Sequence, residues 1–117
     1  MESFAYRLGN LLESVAAGHG LAYTQGGAAA WGIAGAAYLS FVHGFLDTRS
    51  VRNAQYAARE LTGPIHLDCK WYDSMVEQLF DGRQSIDTLL PLPDGAMKHQ
   101  AVSREEFLEM LDFCREG

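Results

Sequence analysis

Apolar residues recur at helical spacing from the first turn of the chain: Phe4, Leu8, Leu11, Leu12 and Val15 fall on one face. That period predicts an amphipathic helix over residues 2–17, closed by Gly18-His19-Gly20 with Gly18 at the C-cap. The pattern then changes. From Ser14 to Leu46, 33 residues pass without an Asp, Glu, Lys or Arg. A glycine-rich connection ending at Gly26-Gly27 leads into a central helix, expected over 28–46. Its bulky face carries Trp31, Ala34, Gly35, Tyr38, Leu39, Val42, Phe45 and Leu46. Along the other side Ala28, Gly32, Ala36, Ser40 and Gly44 form a ladder of small residues, one every fourth position. Residues four apart lie on one inclined ridge, and a ridge nearly free of side chains lets a second helix backbone come close. A helix apolar all round belongs in a core or a bilayer. The Ala/Gly content, His43 and the lack of a basic flank favour the core.

Asp47, Thr48 and Ser50 are N-cap residues, so the chain breaks there and restarts. Val51, Ala54, Ala57, Ala58 and Leu61 give a third helix its buried stripe, and Gly63-Pro64 stops it. The stretch 65–72 carries two patterns. Ile65, Leu67, Cys69 and Trp71 alternate with polar neighbours as in a strand, and 96–102 would be its partner. The same residues fit a helix begun by Pro64, and with Ile65 as the one β-branched residue the helix is favoured. Ser74 with Glu77 reads as a capping box for a short helix ending at Asp81-Gly82. Residues 82–102, with Pro91, Pro93 and Asp94-Gly95, read as a long irregular loop and a candidate binding element. Ser103 and Glu106 form a capping box for the last helix, with Val102 stapled to Phe107 and an apolar face of Phe107, Leu108, Leu111 and Cys114. The expected fold is therefore mainly α: one domain over 1–117, with four or five helices around the Ala/Gly-rich helix 28–46. The alternative is α+β, with a minor two-stranded element from 65–72 and 96–102.

Composition fits that picture. The 117 residues are 48% hydrophobic and 21% charged, as in an ordinary globular chain. Cys69 and Cys114 are the only cysteines and no secretory pattern precedes them, so free thiols in the cytoplasm are expected. The net charge of −6 is uneven. Residues 1–59 hold three acids against four bases, and residues 60–117 hold twelve against five. That balance argues against direct nucleic-acid or membrane binding and favours a basic partner.

Two charged rows stand out. Glu105, Glu109, Asp112 and Glu116 lie at helical spacing on the last helix, and Asp112 and Glu116 oppose the dipole of its final turn. A row of acids kept at that cost is a candidate partner-binding surface. Arg49, Arg52, Tyr56 and Arg59 form a secondary basic patch on the third helix, suited to carboxylates or phosphates. His66, Cys69, His99 and Cys114 would have to converge to hold zinc, and their spacing lacks paired knuckles, so no metal and no cofactor are expected. Neither a phosphate-loop grammar nor a nucleophile motif is present, and no enzyme activity is expected.

The function expected from these features is non-catalytic: a small acidic inhibitor or adaptor occupying a basic, nucleic-acid-binding type of site on a larger protein. In size and charge alone this is similar to phage inhibitors of host defence, anti-CRISPR proteins among them, and no motif carries a likeness to a particular family. The alternatives are a homodimeric helical scaffold built on the small-residue ladder, or a metal- or ligand-binding helical protein using the His and Cys residues above.

Overall fold

A computed structural model describes residues 2–23 and 26–116. Helix α1 (Phe4–Gly18) starts at Ser3, whose hydroxyl accepts from the Tyr6 amide. It runs one residue further than its apolar stripe suggests. The left-handed glycine that ends it is Gly20 (φ 72°), not Gly18, because the Gly20 and Leu21 amides turn back onto the Ala17 and Ala16 carbonyls. Part of the glycine-rich connection, at positions 24–25, lies outside the described residues.

Helix α2 (Gly27–Val42) ends four residues short of the expected 46 by the same device. Gly44 (φ 80°) lets its own amide and that of Phe45 reach back to Phe41 and Ser40. Gly44 therefore closes the helix and does not belong to the ladder. Helix α3 (Thr48–Thr62) is capped by Asp47, whose carboxylate accepts from the Ser50 amide at 2.9 Å; that bond holds the carboxyl below its usual range. Of its expected stripe, Val51 and Ala58 are buried, Ala54 is partly so, and Ala57 and Leu61 are exposed.

The segment 65–68 is extended, with Ile65 and Leu67 inward and His66 and Asp68 outward, but it pairs with no strand. The Tyr23 hydroxyl donates to the His66 carbonyl, and Asp68 caps a single 3-10 turn, Cys69–Trp71. Neither the helix begun at Pro64 nor the pairing of 65–72 with 96–102 forms. Helix α4 (Tyr72–Phe80) grows straight out of that turn, so Ser74 sits inside the helix and bonds to Gln78 instead of capping with Glu77.

The expected long loop is instead an antiparallel hairpin. Strand β1 (Ser85–Pro91) pairs with β2 (Met97–Ser103), with Ile86 opposite Val102 and Leu90 opposite Lys98. Its turn is the Pro93-Asp94-Gly95 signal, in which Asp94 accepts from the Ala96 amide and Gly95 takes φ 87°. Ile86, Thr88 and Leu90 point inward, and the buried Thr88 hydroxyl is satisfied by the Gln100 carbonyl across the ladder. Helix α5 (Arg104–Glu116) follows β2 directly. Both bonds of its capping box form: the Ser103 amide to Glu106 at 2.9 Å and the Glu106 amide to the Ser103 hydroxyl at 3.1 Å.

Helices α1, α3 and α5 and strand β1 pack on α2, while α4 packs on α5 and α1, and β2 on β1 and α5. Toward α1 the ladder brings two backbones together: a Cβ on Gly32 would lie 2.3 Å from the Ala5 carbonyl oxygen. Gly35 leaves room for Leu8 and Met110, and Trp31 donates to Thr62 on α3 at 3.2 Å. The Ser40 hydroxyl, fully buried, donates to the Pro91 carbonyl of β1 at 2.9 Å. The ladder is thus consumed inside the fold, by α1 and the hairpin, and offers nothing to a second copy. The protein is mainly α with a minor two-stranded sheet. Among the described residues no helix is long and apolar enough to cross a membrane.

Candidate interaction surface

The apolar face of α5 fixes where its charges go. Phe107, Met110, Leu111 and Cys114 are buried, with Phe107 edge-on to both Phe4 and Phe80. Glu105, Glu109, Asp112 and Glu116 are consequently all exposed on the outer side. Asp112 accepts a hydrogen bond from the Tyr72 hydroxyl at 3.0 Å. Burial, and then that carboxylate, push the Tyr72 hydroxyl up to about 12. Glu106, one residue off the row, has a different task. One oxygen closes the capping box, and the other lies 2.8 Å from His43 Nε2, off the line of a straight N–H···O bond. The contact acts as a charge pair between the end of α2 and the start of α5 when the imidazole is protonated. Among the described residues this is the one cation–carboxylate pair within 4.0 Å.

The basic row is equally free. Arg49, Arg52, Tyr56 and Arg59 are exposed along α3, and none of the three guanidiniums has a carboxylate within 4.0 Å among the described residues. Among the described residues the row is bridged neither to the neighbouring Glu60 nor to the acidic half of the chain. Tertiary structure does something else with the two rows. Helices α3 and α5 both pack on α2, and between them a groove of about 270 Å³ opens. Its floor is Tyr38 and Phe41 of α2, one wall is Val51, Arg52 and Gln55, and the other is Phe113. Tyr38 stacks on Phe113 with ring centroids 4.6 Å apart. Burial, then Glu109 and Asp112, raise the Tyr38 hydroxyl above its ordinary value, as expected for a phenol beside the acidic wall. A second polar depression, containing Arg52, Tyr56 and Arg59, continues along α3. Arg52 of the basic row therefore lines this aromatic groove, and Glu109 and Asp112 of the acidic row lie close enough to act on Tyr38 at its floor. Sequence reading placed the rows but missed the groove. The signal available was Phe113 beside Glu109 and Asp112 on α5, together with Tyr38 and Phe41 on α2.

The remaining candidate residues do not converge. Cys114 lies beneath α5, where burial lifts its thiol from 9.0 to about 12, whereas Cys69 is exposed on the 3-10 turn. His66 and His19 lie against Trp71, and His99 is exposed on β2. Among the described residues no group of three or more His, Cys, Asp or Glu is placed to hold a metal ion. A separate shallow apolar groove of about 380 Å³ runs between α1 and α2, with Tyr6 and Ile33 exposed on it. No protein-family model matches the chain, and no curated protein is similar to it in sequence.

Proposed function

We propose that this protein is a non-catalytic binding module whose α5 carries a basic surface of a larger protein, as an adaptor or as an inhibitor that occupies that surface. The observation that supports this reading is the outer row Glu105, Glu109, Asp112 and Glu116: four exposed carboxylates with no cation within 4.0 Å among the described residues. Helix α5 holds five acids against Arg104 and Arg115, and like charges at such spacing destabilise a helix weakly. The aromatic strip beside the row supplies what charge alone lacks. Interfaces draw most of their affinity from buried aromatic anchors, while charged rims steer association and select the partner. A partner site built for phosphates presents the matching basic field, and the free thiols suit a reducing, cytoplasmic setting.

The test is capture from host lysate on immobilised wild-type protein, beside a variant with Glu105, Glu109 and Asp112 changed to Lys. A protein captured specifically, lost at about 1 M salt and lost with the variant, is the expected result. Equal capture by both proteins would refute the α5 reading.

A further inference from the structure

We propose that the groove between α3 and α5 is a self-complementary docking face for a second copy of this chain. Arg52 lines one wall, with Arg59 in the adjoining depression of α3; on the α5 side Glu109 and Asp112 flank Phe113 and act on Tyr38, and exposed Phe41 lies on the floor. A two-fold axis along the groove brings α3 of one copy over α5 of the other, so every basic–acidic contact occurs twice. A uniformly basic partner would meet the guanidiniums of α3, and a uniformly acidic one the carboxylates of α5. The chain itself has the matching dipolar arrangement, with unpaired charges of both signs available.

The size of the face sets the strength. At 1.5 Å per residue, the 15 residues of α3 and 13 of α5 extend for about 20 Å. With the groove between them they offer on the order of 500 Å² per copy, against roughly 800 Å² in a standard interface. The dimer is accordingly weak and concentration-dependent. The aromatic strip supplies its affinity, and the charges supply its register and its salt sensitivity. This inference is independent of the heterologous partner proposed above, with which the second copy competes for α5.

Sedimentation equilibrium on the full chain tests it, with three variants: R52E/R59E, E109K/D112K and, as a control on the separate α1–α2 groove, I33E. All substituted side chains are exposed, and circular dichroism verifies that each variant is folded. Wild type is expected to dimerise at about 0.1 M salt and to dissociate near 1 M. Each charge variant alone should weaken dimerisation at least tenfold, and I33E should match wild type. The deciding sample is the equimolar mixture of R52E/R59E with E109K/D112K, in which acidic-walled and basic-walled copies should restore the dimer. A monomeric wild type, a dimer indifferent to both charge variants, a mixture no stronger than its components, or a dimer dissolved by I33E would each overturn the proposal. R52E/R59E also separates the two readings, since it removes the dimer and leaves capture of a basic partner intact.

Discussion

Replacing Gly32 by alanine tests the central packing claim, because two opposed effects act at this position and the structure says which is larger. In a helix interior, alanine is normally better than glycine by about 0.5–1 kcal/mol, through the lower entropy of the unfolded chain. At Gly32 the new Cβ would lie 2.3 Å from the Ala5 carbonyl oxygen and 3.1 Å from the Gly9 nitrogen. Both are backbone atoms of α1, so no rotamer change relieves the clash. Restoring an ordinary 3.4 Å contact moves α1 outward by about 1 Å, and a gap of that size forfeits a quarter to a half of each dispersion contact across it. Phe4, Leu8 and Leu12 all lose packing in that movement. Overpacking costs about 1–3 kcal/mol. Where the helix must move as a body, the upper end applies, leaving a net loss of about 2 kcal/mol after the alanine gain. Urea unfolding followed by circular dichroism reads this as a midpoint lowered by about 1 M. Three further glycines calibrate the result. Gly18→Ala meets nothing within 4 Å and should stabilise by about 0.5 kcal/mol. Gly9→Ala, whose Cβ would sit 3.4 Å from the Ala28 carbonyl, should be near neutral. Gly35→Ala meets the flexible ends of Leu8 and Met110 and should fall between Gly9 and Gly32. A Gly32→Ala protein as stable as wild type would refute the close α1–α2 crossing, and with it the assignment of the ladder to intramolecular packing.

Three further outcomes follow from side-chain placement. Ser103→Ala removes the hydroxyl that caps α5 and should lower stability by about 1 kcal/mol in the same urea assay, with the α5 surface otherwise unchanged. In native protein one thiol, Cys69, should react promptly with a disulfide reagent, and Cys114 only on unfolding. Because the Cys114 thiol titrates near 12 when folded and at its ordinary 9.0 when unfolded, its contribution is fully present below pH 9. It is lost as the pH rises from 9 toward 12, so urea midpoints of wild type should fall more steeply over that window than those of Cys114→Ala. Parallel profiles would refute the burial of this thiol.

The amino-acid sequence by itself determined the local units. Helical periodicity at Phe4–Val15, caps at Asp47 and Ser103, the stop at Gly63-Pro64 and the turn at Asp94-Gly95 all act within a few residues, and each is where the chain's own chemistry puts it. The short interior alternation of Ile86, Thr88 and Leu90 was also present, but a buried Thr and the run Leu89-Leu90-Pro91 obscured it. That a strand formed there, and not at 65–72, was settled by β2: an alternating segment becomes a strand only when a partner satisfies its backbone, and the tight turn places 97–103 beside 85–91. The ladder shows the same division. Spacing marked a surface built for close approach, yet α1 and the hairpin, not another molecule, fill it. The candidate surface was legible only as two separate rows of charge. Their meeting across Tyr38, Phe41 and Phe113 required α3 and α5 to pack on neighbouring sides of α2. Contacts between residues more than 70 positions apart, such as Tyr38 and Phe113, leave no periodic trace along the chain, because periodicity records which face of an element is buried and not what buries it.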